Sequence, residues 1–232
     1  MKRFALIGHP LAGSLSPALF YKAYSGKWGY DLIDDADFGS AWGRFLTGYD
    51  AVNITAPFKE KAFGMAAQAD EGARAAGAAN IAVKTPEGIK AYNSDYLAVL
   101  KILRSRGLGK GCAAVIAGCG GAGRAAFAAA EALQMRAMVC NRSPKRLRSV
   151  SGADISTLSL EELPRLAADA DILIYTLPVS TEGLKSRIIL EANYKSPSLE
   201  KSALAEYIPG SEWLLEQARE GYALMTGEKP AL

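Results

Sequence analysis

Apolar residues fall along this chain in short runs broken by glycine and proline, and those runs set the element list. Phe4-Ala5-Leu6-Ile7 is apolar throughout and is cut by Gly8-His9-Pro10, which predicts a short buried strand. Ser16-Pro17 then opens a helix over Ala18 to Tyr24, with Ser16 as N-cap and Pro17 at the first helical position. Tyr30 to Asp34 and Ala51 to Ile54 read as the second and third strands. Pro57 starts the next helix, which the pattern carries through Lys59 to Ala69. Ala79 to Lys84 is strand-like and ends at the turn Pro86-Glu87-Gly88. Asn93-Ser94 leads into an amphipathic helix from Asp95 to Arg106.

After a helix stop between Gly107 and Gly111, the pattern becomes strictly β-α-β. Cys112 to Ala117 is an apolar strand, Gly123 to Leu133 an alanine-rich helix and Met135 to Asn141 a strand. Leu160 to Ala168 reads as a helix, with Asp171 to Leu177 and Arg187 to Ala192 as further strands. Such alternation implies a parallel sheet covered on both faces. The last helix runs from Glu212 to Thr226. The expected fold class is α/β with two domains. Residues 1–97 form an N-terminal α/β domain and residues 98–206 a Rossmann-like parallel-sheet domain, while the C-terminal helix, about 207–232, returns to the first.

Charge and cysteine usage narrow the function classes. The net charge is +3 and no block of like charges occurs, so nothing calls for nucleic acid. Cys112, Cys119 and Cys140 have no metal-ligand spacing and His9 is the only histidine, so no metal site is expected. Scattered thiols favour a reducing compartment, and a cytoplasmic location is expected. The apolar start resembles a signal peptide only as far as His9-Pro10, and no segment is long enough to span a bilayer.

Gly118-Cys119-Gly120-Gly121-Ala122-Gly123 matches G-x-G-x-x-G between an expected strand and an expected helix. There, glycine lets the backbone turn tightly and approach a pyrophosphate seated on the helix N-terminus. A plain tight turn with small packing residues is the alternative. The next strand ends in Cys140-Asn141-Arg142-Ser143, with Lys145 and Arg146 behind it. No carboxylate is present to accept from a ribose 2′-hydroxyl, whereas a guanidinium and a hydroxyl suit a 2′-phosphate. NADP is therefore expected over NAD, against the alternative of a solvated basic helix start.

Two smaller groupings carry chemistry. Ser14 and Ser16, with the free amides of the first helical turn, form a carboxylate site, unless Ser16 is a simple cap and Ser14 idle. Lys59 lies in the first turn of its helix, where the dipole disfavours a cation, while Asp95 lies in the first turn of another, where a carboxylate is favoured. A Lys59–Asp95 pair would hold the ammonium toward a substrate; a solvated lysine is the alternative.

Taken in order, several stretches resemble the shikimate dehydrogenase family. Gly8-His9-Pro10-Leu11-Ala12-Gly13-Ser14-Leu15-Ser16-Pro17 is similar to its serine motif, and Asn53-Ile54-Thr55-Ala56-Pro57-Phe58-Lys59 to its catalytic-lysine motif. Gly77-Ala78-Ala79-Asn80 and Asn93-Ser94-Asp95 resemble the next two, Gly118 to Gly123 and Asn141-Arg142-Ser143 the NADP turn and phosphate clasp, and Trp213 to Ala218 the glutamine segment. The resemblance implies NADP-dependent reduction of 3-dehydroshikimate to shikimate, in the chorismate route to aromatic amino acids. It implies that Ser14, Ser16 and Tyr194 bind the substrate carboxylate. Thr55, Asn80 and Gln217 hold ring hydroxyls, and Lys59 and Asp95 contact the reacting oxygen. Gly118, Gly120, Gly121, Ala122, Gly123, Asn141, Arg142 and Ser143 hold the cofactor. The partner is then a small molecule, in a monomer or homodimer with its chemistry in the cleft between the domains.

Departures from the family pattern keep two other readings open. Gly13 stands where the family has His, Ile81 where it has Thr, and Tyr175-Thr176-Leu177-Pro178-Val179-Ser180 where it has an Asn-led loop near the nicotinamide. The segment between Leu199 and Tyr207 is shorter than the family's helix and strand. A dehydrogenase for quinate or another cyclic hydroxy acid, or a catalytically silent NADP-binding regulatory module, would keep the same fold.

Overall fold

Phe4–Gly8 forms the first strand, β1, and all five of its residues are buried. The computed structural model describes residues 2–149, 152–179 and 181–232. The chain divides into two units, residues 1–94 with 217–232, and residues 95–216.

In the first unit β1 is followed by α1 (Ser16–Tyr24), β2 (Tyr30–Asp34), α2 (Phe38–Gly48), β3 (Ala51–Ile54) and α3 (Lys59–Gly64). Then come β4 (Gln68–Ala69), α4 (Glu71–Ala76), β5 (Ile81–Thr85) and β6 (Gly88–Tyr92). The sheet runs β2-β1-β3-β5-β6-β4. β1 is parallel to β2 and β3, while β5 is antiparallel to β3 and β6. Helix α5 (Ser94–Ser105) leads out of this sheet.

One face of the sheet is packed with aromatic rings. Phe20 of α1 lies 5.3 Å from Phe4, 4.6 Å from Tyr30 and 5.0 Å from Tyr222, centroid to centroid. Such pairs are each worth about 0.5–1.5 kcal/mol beyond the area they bury. They fix α1, which carries Ser16, and the C-terminal helix, which carries Gln217, against the same strands.

The second unit contains β7 (Ala113–Ala117), α6 (Gly121–Ala132), β8 (Arg136–Asn141), the antiparallel pair β9 (Arg146–Arg148) and β10 (Asp154–Ser156), and β11 (Leu158–Ser159). It continues with α7 (Leu163–Asp169), β12 (Ile172–Tyr175), β13 (Ser186–Glu191), β14 (Ala203–Ile208) and the start of α8 (Gly210–Thr226), whose residues from Gln217 onward belong to the first unit. Its sheet, β11-β8-β7-β12-β13-β14, is parallel throughout.

Several expectations need correction. The helix begun near Pro57 ends at Gly64 rather than Ala69, and Gln68–Ala69 pairs with β6 as an edge strand. Pro57 does not open it; the peptide bond before Pro57 is cis and α3 begins at Lys59. Beyond Gly111 the order is not strictly β-α-β. Among the described residues only α6 and α7 are crossover α-helices of the second sheet. The β9–β10 hairpin stands between β8 and β11, and a single 3-10 turn, Glu200–Ser202, between β13 and β14.

A buried carboxylate holds that last crossover. Glu191, 1% exposed, accepts from the amides of Ser198 and Leu199, the Ser198 hydroxyl and the Tyr207 hydroxyl, the last at 2.7 Å. Desolvating a carboxylate is costly unless it is hydrogen-bonded in this way. Burial, and then the bond to Glu191, push the Tyr207 phenol well above its ordinary pKa, so it stays a donor.

Candidate active site

In the first sheet, β1 lies between β2, reached through α1, and β3, so the strand order reverses between β1 and β3. Ligands of open α/β sheets bind outside the carboxyl ends of the strands at such a switch point. There the Thr55 amide donates to Ile7 O (2.8 Å) and the His9 amide to Ala56 O (3.2 Å), which joins the two loops. Gly8 has no room for a side chain, since a Cβ would sit 2.3 Å from Thr55 Cγ2. Lys59, at the head of α3, accepts from the Ala79 amide through its carbonyl (2.9 Å), next to Asn80.

Asn80 is 3% exposed and belongs to a buried network. Its Nδ2 donates to Ser94 Oγ (3.0 Å) and its Oδ1 accepts from the Ser94 amide (2.8 Å). Ser94 Oγ donates in turn to Gln217 Oε1 (3.1 Å). One helical turn on, a Cβ at Gly221 would fall 2.8 Å from Ile81 Cδ1 and 3.0 Å from Ser94 Oγ, so glycine permits that close approach. Thr55, Lys59, Asn80 and Gln217 are thus tied to one region of the first unit. Ser94, the hub, stands in the Asn93-Ser94-Asp95 stretch of the sequence, with no role of its own assigned there. Ile81 is fully buried, so this departure from the family pattern fills core.

The serine pair differs from expectation. Ser16 is the first residue of α1 and makes no side-chain cap; its amide instead donates to Ser14 Oγ (3.3 Å). Leu15 is the N-cap, without a side-chain capping bond, and Ser14, which the plain alternative left idle, accepts from one first-turn amide. The Tyr222 hydroxyl donates to the Ser16 carbonyl (3.2 Å), and the Tyr30 hydroxyl to Asn53 Oδ1 (2.7 Å). Burial, with Tyr222 beside it, raises the Tyr30 phenol well above its ordinary pKa, against a hydrogen bond with Ser16 that lowers it. Asn53 heads the lysine motif in the sequence, whereas Tyr30 and Tyr222 are single tyrosines with no motif around them.

The second sheet has its own switch point, between β7 and β12. Gly118, at φ +103°, follows β7, and a Cβ there would lie 2.5 Å from Thr176 Oγ1. A Cβ at Gly123 would lie 2.2 Å from Gly118 O. At Gly120 a Cβ would meet nothing within 4 Å. Gly120 is the N-cap of α6 with no side-chain capping bond, and the first turn, Gly121-Ala122-Gly123, holds no acidic residue. Open space over helix-terminal N–H groups is what a pyrophosphate requires, so the turn fits a dinucleotide.

Asn141, Arg142 and Ser143 follow β8, with the Asn141 amide group donating to Ser143 O (2.9 Å). Arg142 and Ser143 are exposed and no carboxylate lies between Asn141 and Lys145. The Tyr175 hydroxyl donates to Val179 O (2.6 Å) and lies 2.6 Å from Thr181 Oγ1, which closes the loop after β12; Ser180 lies outside the described residues. Tyr194 is partly buried after β13, and burial raises its phenol pKa. Asp95, 7% exposed in the first turn of α5, accepts from the Trp213 indole N–H (3.2 Å).

Cys140 is fully buried in β8, and burial raises its thiol pKa to about 11. Since the thiolate is the nucleophile, iodoacetamide at pH 8 should leave Cys140 unmodified in the native protein while partly exposed Cys112 reacts. Peptide mass spectrometry checks this; equal alkylation of both would contradict it.

A glycine turn at one switch point, with Thr55, Lys59 and Asn80 near another, is the arrangement of an α/β protein with a Rossmann-like domain. The sequence profile of the shikimate dehydrogenase substrate binding domain matches residues 6–82. The shikimate dehydrogenase (NADP(+)) of Xanthomonas campestris is 32% identical, covering 99% of this chain and 92% of that protein. The chain belongs to the shikimate dehydrogenase family. Shikimate 5-dehydrogenase of Thermus thermophilus, solved in complex with NADP(H) and shikimate, superposes with a TM-score of 0.81 at 26% identity, over 99% of this chain and 95% of that one. Quinate dehydrogenase of Corynebacterium glutamicum, solved with NAD, shares the fold at a TM-score of 0.81 and 20% identity, over 99% of this chain and 95% of that one.

Proposed function

We propose that this protein reversibly reduces 3-dehydroshikimate to shikimate with NADPH. The residues at the first switch point, Thr55, Lys59 and Asn80, the last of them joined through Ser94 to Gln217, support this reading. The first unit is the substrate domain and the second the NADP domain, in a monomer or homodimer. The cysteines are free thiols, which suits the reducing cytoplasm, and no helix of the described residues is long and apolar enough to cross a membrane.

When bound, NADPH is the source of the hydride for the ring carbonyl. Lys59 donates a hydrogen bond and then a proton to the carbonyl oxygen as negative charge grows there, and is reprotonated from solvent. Asp95 accepts from the ammonium and holds it in place, and in the reverse direction it accepts from the hydroxyl of shikimate. Ser14, Ser16 and Tyr194 take the substrate carboxylate, while Thr55, Asn80 and Gln217 take the ring hydroxyls and fix which carbon faces the nicotinamide. Gly118, Gly120, Gly121, Ala122 and Gly123 would hold the pyrophosphate of the cofactor, and Asn141, Arg142 and Ser143 its 2′-phosphate.

Cofactor choice tests this assignment. Arg142→Ala should raise the Michaelis constant for NADP by roughly tenfold, solvent screening limiting the loss at an exposed site. The constant for NAD should change little. Initial rates with each cofactor measure both; equal losses would place Arg142 outside the clasp.

A further inference from the structure

We propose that Trp213 is a positioning residue for catalysis, its indole N–H holding the Asp95 carboxylate in the orientation from which Asp95 partners Lys59. This rests on the reading of Asp95 as a catalytic residue given above. Trp213 is 4% exposed and Asp95 7%, and the indole Nε1 donates to Asp95 Oδ1 at 3.2 Å. An indole N–H only donates, and when buried it needs an acceptor. A carboxylate accepts up to about four hydrogen bonds, so the indole and an ammonium are compatible partners for one Asp95.

The surrounding packing keeps the indole in place. Arg106, after α5, forms a bidentate pair with Glu212, its Nη1 to Oε1 at 3.0 Å and Nη2 to Oε2 at 3.2 Å. Its Nε donates to Glu206 at 2.8 Å. Glu212 immediately precedes Trp213, so the start of α8 is tied to the end of α5. Gly210 fixes the same start from the other side: a Cβ there would lie 2.7 Å from the carbonyl oxygens of Glu191 and Ala192.

Trp213 and Gln217 stand four apart on α8, on one helix face. Ser94 and Asp95 are consecutive at the head of α5. Gln217 accepts from Ser94, and Trp213 donates to Asp95. One face of α8 therefore sets a residue of the hydroxyl-binding network and the catalytic carboxylate by two adjacent contacts. A side chain without a donor at position 213 would keep the packing and lose only the orientation of Asp95.

The test pairs kinetics with a spectroscopic readout. Trp213→Phe keeps an aromatic ring and removes the donor. It should lower kcat on shikimate by about 10- to 100-fold, the range for losing a hydrogen bond to a charged group. The Michaelis constants for shikimate and NADP should stay near those of the parent. Trp213→Phe in an Asp95→Asn background should cause no further loss. Independently, the protein has three tryptophans, so Trp28→Phe and Trp42→Phe assign the Trp213 indole ¹H–¹⁵N resonance by elimination. That resonance should move in Asp95→Asn without substituting Trp213 at all. An immobile resonance, a parental kcat for Trp213→Phe, or multiplied losses in the double variant would each overturn the proposal. Asp95→Asn turning over at the parental rate would instead sink the catalytic reading of Asp95, and this role with it.

Discussion

Lys59→Met should lower turnover on shikimate by about 100- to 10,000-fold, the range for a positioned acid–base group. Methionine keeps the length of the side chain and suits a helix, so α3 and its backbone contact with Ala79 should survive. What disappears is the charge on the carbonyl oxygen and the proton it receives. Both matter most as negative charge develops, so kcat should fall far more than the Michaelis constants rise. Asp95→Asn should also be severe, and the pair should be non-additive because the proposed role of Asp95 is exerted through the Lys59 ammonium. Steady-state kinetics on the two variants and their combination checks all of this; near-parental kcat for Lys59→Met would remove Lys59 from the chemistry.

The second large effect belongs to the glycine turn, where two substitutions separate folding from binding. At Gly123 a Cβ would lie 2.2 Å from Gly118 O and 2.8 Å from Gly118 C, both backbone atoms with no freedom to move aside. Gly123→Ala must therefore displace α6 from the turn, at a cost of about 1–3 kcal/mol in stability. NADPH affinity should fall by about tenfold or more as the helix N-terminus moves away from the phosphates. Gly120 has φ −81° and open space where a Cβ would go, so Gly120→Ala should melt like the parent. Its added methyl would occupy the space assigned to the pyrophosphate, so NADPH binding should still weaken. Thermal melts and NADPH fluorescence titrations read the two quantities separately. Gly120→Ala with both parental stability and parental affinity would argue that the turn is only packing.

The sequence carried the strands well and the connections poorly. Strands β1, β3, β7, β12 and β13 stand where their apolar runs lie, within a residue or two, because a nearly continuous buried run has few other uses. Two helices of the first unit escaped notice although their caps are present. Asp37 accepts from the Ser40 amide at the head of α2, and Asp70 from the Ala73 amide at the head of α4. In α2, Phe38, Ala41, Trp42 and Phe45 follow helical spacing, but Gly39, Gly43 and Gly48 obscure it. The β9–β10 hairpin and β14 carry no comparable signal, because β9 buries only Leu147 and β14 only Ile208.

The site divides along the same line. Residues within a motif, such as Thr55, Lys59, Asn80 and the glycines, are legible as candidates from spacing and resemblance. Residues that act through long-range contacts could not. Ser94, bonded to Asn80, meets Gln217 across 123 positions of chain, and Trp213 meets Asp95 across 118. Local pattern holds no information on such pairs; only the fold places them.

The most direct test of the account is the initial rate of NADPH formation, followed at the nicotinamide absorbance band, when the purified protein is given shikimate and NADP. The account predicts rapid turnover on this pair, slower turnover with NAD, and little or none with quinate. Tight NADP binding without turnover on either acid would contradict it, as would a clear preference for quinate.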